Sequence, residues 1–436
     1  MLVDLRRAAI VAFAGALASY VISASASMNP ARLLERFLRY VRIDTTANPD
    51  TDEYPSSPGQ WDLGKLLVAE LKASGVADAH QDDKAIVWGT IPANNGKSGP
   101  AIAFNAHLDT SPETTGKNVN PQVIRQYPGG DISLPANKSQ VIRVADNPEL
   151  TKLVGKTLVT TDGNTLLGAD DKSGIAVIME LVDSLREDPS ILHGPVKVLF
   201  TCDEEIGRGV KHVDLKKLGS IVGYTLDGAA TGELDVETFS ADGARVTVRG
   251  VNIHPSIGKG RMINALRGAG EFLARLPRGK APETTGDRQG FIHPYRIEGG
   301  VAEVVIHILL RDFDSAQLAL QANLLRETAD EIKSKLPGMQ FDIQITQQYR
   351  NLGEGLIKEP RAVTYVEDAY RKLGRTVKKT IIRGGTDGSQ FTSLGLPTPN
   401  LSTGEHNPHS PLEFTCLEEM ADAVEVCREI VRRWGE

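Results

Sequence analysis

Two adjacent acids in the segment 168–174, Gly-Ala-Asp-Asp-Lys-Ser-Gly, most constrain how this 436-residue chain can fold. Asp170 and Asp171 come at the end of an apolar loop segment and directly before a helical pattern. Neighbouring carboxylates are costly to bring together unless a cation neutralises them. Our interpretation is that Asp170 bridges two metal ions and that the chain folds so as to bring the other ligands to it.

The length and composition indicate a globular protein of two domains. A chain of 436 residues is too long for one typical core, and its 40% hydrophobic and 24% charged residues are ordinary globular values. The net charge of −7, without a basic block, argues against a nucleic-acid partner. Three cysteines do not make a disulfide framework and are typical of free thiols in a reducing compartment.

Residues 1–27 allow two interpretations. Two arginines, an apolar run and a stretch rich in small residues resemble a secretory signal, which would make the protein exported. Alternatively Met28 is the true start, since Asn29 and Pro30 are typical of the first positions of a helix. We favour Met28 and expect a cytoplasmic protein. The apolar run is too short for a stable membrane span.

Alternating strands and helices predict the main domain. Apolar runs at 101–105, 196–201 and 221–226 are typical of buried strands, and 172–186 has the apolar period of a helix. This alternation predicts an α/β fold with a mostly parallel sheet covered on both faces. We assign residues 28–237 and 350–436 to this catalytic domain.

The pattern changes between residues 238 and 349. Its order is β-α-β-β-α-β, the split-βαβ or ferredoxin-like arrangement. We expect an inserted α+β domain there.

Four potential ligands follow predicted strands of the main sheet: His107, Glu204, Glu205 and Asp227. In open α/β sheets, ligands bind outside the carboxyl ends of the strands. Adjacent glutamates can divide labour, one as a ligand and the other as a general base. Asp109 is placed to hold the ring of His107.

A further ligand is expected between residues 404 and 409. Two histidines, His406 and His409, lie three positions apart there, after a short apolar strand. Their spacing alone allows either of them to bind a metal.

Together these motifs resemble those of the tripeptide aminopeptidases in the M20 family of zinc metallopeptidases. The resemblance covers residues 28–436, and its motifs are H-L-D-T at 107–110, G-A-D-D-K-S-G at 168–174, D-E-E-I-G at 203–207, L-D-G at 226–228, R-G-G-T-D-G at 383–388 and G-x-H-N-x-H at 404–409.

The resemblance implies two Zn²⁺ ions per subunit, bridged by Asp170, and a cis peptide after Asp170. One ion would be held by His107 and Asp227 and the other by Glu205 and His406, so the resemblance selects His406 over His409. Glu204 would be the general base, and Asp109 would orient His107. The insert would be a lid or dimerisation domain, which makes a homodimer an expectation.

The resemblance also implies residues that bind the polar groups of short peptides: His254, Asn264, Arg311, Arg350 and Arg383. We therefore expect hydrolysis of the N-terminal residue from tripeptides. The alternatives are another M20-type amidohydrolase, either a dipeptidase or an N-acyl amino acid deacylase, and a non-catalytic peptide-binding protein.

Overall fold

The computed structural model describes residues 28–97 and 99–436. The signal-like segment 1–27 lies outside this range, so its interpretation stays a prediction. The first helix begins at Pro30, and the side chain of Asn29 accepts the backbone N–H groups of Ala31 and Arg32 at 3.1 Å each. The N-cap expected from the sequence is therefore present.

The strands in chain order are β1 (His80–Gln81), β2 (Val87–Ile91), β3 (Ile102–His107), β4 (Gln122–Ile124), β5 (Ile132–Ser133), β6 (Val141–Ile142), β7 (Leu158–Thr160), β8 (Val196–Thr201), β9 (Val222–Ala229), β10 (Glu233–Thr238), β11 (Ser240–Arg249), β12 (Phe291–Gly299), β13 (Glu303–Asp312), β14 (Gln340–Tyr349), β15 (Lys378–Ile382), β16 (Asn400–His406) and β17 (Phe414–Cys416). The helices are α1 (Pro30–Tyr40), α2 (Pro58–Ala73), α3 (Ala169–Glu187), α4 (Leu215–Leu218), α5 (Ala265–Arg275), α6 (Ser315–Lys335), α7 (Leu352–Leu356), α8 (Arg361–Lys372), α9 (Asp387–Ser393) and α10 (Leu417–Gly435).

The main sheet has the order β1-β2-β8-β3-β9-β16-β17-β7-β4; in addition, β10 pairs with β16, and β15 pairs with β10. Its centre is parallel: β3 pairs in parallel with β8 and β9, and β9 with β16. Neighbouring residues of β3 point to opposite faces of the sheet and pack in different cores. Phe104 packs in the larger core, with residues of α1, α3 and α10, and Ala103 packs in a smaller core that includes a residue of α9. The predicted α/β class, with a sheet buried on both faces, is confirmed.

A second sheet has the antiparallel order β12-β13-β11-β14. Alternate residues of β11, such as Val246 and Val248, pack with Phe272 of α5 and Leu325 of α6 in a separate core. The chain order is β-α-β-β-α-β, as the sequence predicts for the inserted α+β unit. Within residues 28–97 and 99–436, no helix combines the length and apolar composition needed to cross a bilayer.

Buried ion pairs fix α1 against α3, the helix that follows the Asp170 segment. The carboxylate of Glu180 is fully buried, and it accepts the backbone N–H of Asn29 at 2.8 Å and Arg32 Nε at 2.7 Å. Arg36 also contacts Glu180, at 3.2 Å, and donates to Asp183 at 2.6 Å. Because removing one partner of a buried pair leaves the other charge uncompensated, this contact is sensitive to truncation.

We expect Glu180→Ala to lower the free energy of unfolding by about 3–5 kcal/mol, because two arginines would lose a buried partner. Urea denaturation followed by circular dichroism measures this. Glu187→Ala is the matched control, since Glu187 also pairs with Arg32 but is 33% exposed, and its expected cost is below about 1 kcal/mol. Equal losses in the two variants would contradict the role given to the buried pair.

Candidate metal centre

The carboxylate of Asp170 faces a different histidine with each of its two oxygens. Oδ1 lies 3.0 Å from Nε2 of His107, and Oδ2 lies 3.2 Å from Nε2 of His409. Nε2 of His107 is also 3.6 Å from Oδ1 of Asp227, and Nε2 of His409 is 2.9 Å from Oε2 of Glu205. We call His107 with Asp227 the first half-site and His409 with Glu205 the second; Asp170 belongs to both.

His406, which the family resemblance selected, does not belong to this cluster. Its Nε2 lies 2.8 Å from Oε2 of Glu419, and its ring stacks on Phe414 at 4.4 Å. It is the last residue of β16, and its side chain is buried away from Asp170. The structure therefore brings His409, and not the expected His406, to Asp170 and Glu205.

The Asp170 segment is held by carboxylates from elsewhere in the chain. Glu413 is buried and accepts the backbone N–H groups of Leu167 at 2.7 Å, Gly168 at 2.8 Å and Asp170 at 3.1 Å. Gly168 has φ +78°, a left-handed conformation that favours glycine. The peptide between Asp170 and Asp171 is cis, as the resemblance implied.

Asp171 has a different role from that of Asp170. Its buried carboxylate accepts the backbone N–H of His107 at 3.0 Å and that of Gly174, in the first turns of α3, at 3.2 Å. It therefore joins the end of β3 to the start of α3. This separates the two adjacent acids, one facing the histidines and the other bonded to backbone.

Asp109 holds both His107 and the turn that carries the two glutamates. Nδ1 of His107 donates to the carbonyl of Asp109 at 3.1 Å, which leaves Nε2 as the ligand atom. The carboxylate of Asp109 accepts the backbone N–H groups of Glu204 at 3.0 Å and Glu205 at 3.1 Å. The orientation of these side chains is thus set by one buried residue.

The shifted pKa values of the carboxylates and histidines in this cluster indicate a site for a cation. Burial raises the pKa of Glu205 to about 8 and that of Asp227 to about 7, with Asp170 adding to both shifts. Hydrogen bonds with Asp170 and Glu205 raise the pKa of His409 to about 11. Burial alone would lower the pKa of His107, but its carboxylate neighbours raise it well above its ordinary value.

The donor set fits divalent metal ions. Ligand atoms of His107, Asp170 and Glu205 lie within 4.8 Å of one another, and so do those of Asp170, Asp227 and Glu405. Oε1 of Glu205 is buried and has no hydrogen-bond partner among the described residues. Imidazole nitrogens with carboxylate oxygens are ligands that zinc accepts.

The cluster forms one wall of a cavity of about 1120 Å³. Glu204, Arg311 and Arg383 also line it. The guanidinium of Arg311 lies 5.6 Å from the centre of the Tyr349 ring. Arg383 is largely occupied, because it donates to the carbonyls of Asp287 at 2.7 Å and Gln289 at 2.8 Å.

The other three substrate-binding candidates do not line this cavity. Arg350 pairs with Asp242 at 2.8 Å, and the Asn264 side chain caps α5 by accepting the N–H of Leu266 at 2.9 Å. His254 is exposed, with Nδ1 2.7 Å from the hydroxyl of Ser256. The described single chain does not bring these residues to the metal centre.

Glu413 and Glu405 were not anticipated from the sequence. A signal for Glu413 exists, since it is an acid inside the otherwise apolar or neutral run 411–416. A charged residue in such a run needs a buried partner, which here is the backbone of the Asp170 segment.

Comparisons with known proteins find relatives that match most of this chain. Residues 157–433 match the model of peptidase family M20/M25/M40. A protein of Geobacillus thermodenitrificans named peptidase T is 44% identical over 400 residues, covering 92% of this chain and 97% of that protein. Peptidase T of Bacillus subtilis is 41% identical, covering 92% of this chain and 98% of its own length.

Solved structures share the fold. Aminopeptidase PepT from Bacillus cereus superposes with a TM-score of 0.72 at 22% identity, covering 94% of this chain and all of that chain (100%). A Bacillus subtilis protein described as a dinuclear metal-binding peptidase of the M20 family has a TM-score of 0.63 at 14% identity, with 92% and 97% covered. At these identities the likeness concerns the fold alone.

We expect His409→Ala to lose bound zinc, because it removes one side of the second half-site. His406→Ala is the matched control: it keeps the metal content of the unaltered protein but loses about 1–3 kcal/mol of stability, since Glu419 is left buried without its partner. Elemental analysis of zinc-loaded, dialysed protein and urea denaturation measure the two effects. The reverse pattern, with zinc lost in His406→Ala and kept in His409→Ala, would contradict the assignment.

Proposed function

This chain belongs to the peptidase family M20/M25/M40, and we propose that it is a dizinc aminopeptidase that releases the N-terminal residue from tripeptides. The main observation that supports this proposal is that the carboxylate of Asp170 is shared between the two half-sites. The curated relatives named peptidase T support the substrate class.

The residues that would hold the two ions are Asp170 with His107 and Asp227, and Asp170 with Glu205 and His409. When bound, zinc polarises a substrate carbonyl and lowers the pKa of a coordinated water towards about 7. Three protein ligands per ion leave room for water and substrate.

Glu204 is proposed as the general base. Its side chain lines the cavity, and its backbone is fixed by Asp109. Burial raises the pKa of Glu204 well above its ordinary value; His107 opposes this shift and Asp227 adds to it. Glu204 takes the proton of the attacking water and then donates it to the leaving amine.

Arg311 is proposed to bind the C-terminal carboxylate of the peptide. It lines the cavity, and its fork can bind both carboxylate oxygens. Arg383 contributes mainly by holding the 285–289 loop at the rim.

His254, Asn264 and Arg350 remain predictions that require closure of the inserted unit over the cavity or a second subunit. The homodimer and the cytoplasmic location also remain predictions. The three cysteines are free and buried, which supports a reducing compartment.

We expect Glu204→Gln to lower kcat for Ala-Ala-Ala by about 10²- to 10⁴-fold, because the isosteric amide cannot accept the proton. Zinc content should stay that of the unaltered protein, since Glu204 is not among the proposed ligands. Stopped assays of alanine release, together with elemental analysis, measure both. Undiminished hydrolysis would refute the assignment of Glu204.

The substrate class is tested by comparing kcat/KM for Ala-Ala-Ala, Ala-Ala and N-acetylalanine in the unaltered enzyme. We expect the tripeptide to be preferred, since Arg311 lines the same cavity and can bind the C-terminal carboxylate. Preference for N-acetylalanine would indicate a deacylase, and preference for Ala-Ala a dipeptidase.

A further inference from the structure

A fifth carboxylate, that of Glu405, lies at the metal centre beside the four carboxylates of the proposed ligands and base (Asp170, Glu204, Glu205 and Asp227). Glu405 is on β16, is 4% exposed and lines the cavity. One of its oxygens lies within 4.8 Å of ligand oxygens of Asp170 and Asp227.

Among the described residues, no cation pairs with this carboxylate and no donor is available to it alone. Its one hydrogen-bond contact is the hydroxyl of Thr403 at 3.3 Å. That hydroxyl has a single proton and lies closer, at 3.0 Å, to the carbonyl of Gly228, which can only accept. A buried carboxylate left without a donor is costly, so the site is built for a positively charged or donating group from the cavity.

The two zinc ions do not need Glu405. Each half-site already has three protein ligands when Asp170 is counted in both, and a catalytic zinc keeps a position open for water or substrate. Ligation by Glu405 would close such a position beside Asp227. The charges of Asp170, Glu205, Asp227 and Glu204 also balance two divalent cations, which leaves that of Glu405 in excess.

The geometry of a peptide places a cation at this point. Standard bond lengths and angles put the α-nitrogen of the N-terminal residue about 2.5 Å from that residue's carbonyl carbon, the atom attacked in an aminopeptidase. The group that binds the α-ammonium must therefore adjoin the metal centre. Two other acids on the cavity wall are already paired: Glu233 with Lys378 at 3.1 Å, and Asp235 with Asn400 at 3.0 Å.

We propose that Glu405 binds the free α-ammonium group of the substrate's N-terminal residue and so determines specificity for unblocked peptides. This assignment deepens the aminopeptidase function and rests on it. Glu405 would then bind the amine of the peptide and Arg311 its carboxylate; both residues line the cavity.

The test uses binding by the zinc-loaded protein. Two probes are compared by calorimetry: a ketomethylene analogue of Ala-Ala-Ala, which cannot be cleaved, and the same compound with hydrogen in place of the α-amino group. We expect the unaltered protein to prefer the amine-bearing probe by about 10- to 100-fold, as for a hydrogen bond to a charged group. Glu405→Gln should lose this preference and keep its zinc, with unchanged affinity for the probe that lacks the amine.

Glu233→Gln is the control, since Glu233 lines the same cavity but is paired with Lys378, and it should keep the preference. Glu405→Asp, which retains the charge, is a second variant in case the amide disturbs folding, and it should keep part of the preference.

Zinc loss in both Glu405 variants would make Glu405 a metal ligand and overturn the proposal. A preference retained in Glu405→Gln, or absent from the unaltered protein, would overturn it too. A protein that shows the preference but does not cleave Ala-Ala-Ala would refute the aminopeptidase function and leave the amine site standing.

Discussion

The position of one carboxylate, with Oδ1 of Asp170 facing His107 and Oδ2 facing His409, is the feature on which the rest of the centre depends. The carboxylates of Asp170, Glu205 and Asp227 repel one another in this buried site unless a cation lies between them or one of them takes up a proton. Hydrogen bonds to three nearby carboxylates keep Asp170 and its neighbours in this position. Glu413 fixes the backbone of the Asp170 segment, while Asp171 and Asp109 fix His107 and the glutamate turn.

The sheet explains how residues far apart in the chain meet. Because β3, β8, β9 and β16 run parallel at its centre, their carboxyl ends lie at one edge. α3 starts at the same edge and brings Asp170 with it. The buried pairs of Glu180 then fix α3 to α1 on the helical layer.

Much of this arrangement could be predicted from the sequence, because strand ends can be read from apolar runs. His107, Asp170 and Glu205 lie at the strand and helix boundaries expected for them, whereas Asp227 lies within β9, which continues to Ala229. His409 could not be chosen, since the register at the end of β16 decides between the two histidines. β16 continues through His406, whose side chain turns to Glu419, and Asn407 (φ +52°) and His409 (φ +63°) then redirect the chain. Such a turn leaves no apolar pattern.

Glu413 and Glu405 could not be predicted for a related reason, because the contacts of each are with segments distant in sequence.

The central claim is that two ions share Asp170 and that His409, not His406, completes the second half-site. Crystals of the zinc-loaded protein, measured at the zinc absorption edge, test it most directly. We expect two anomalous peaks about 3.5–4 Å apart, one on each side of the Asp170 carboxylate, with His409 next to one of them. A single peak, or a peak next to His406, would contradict this account.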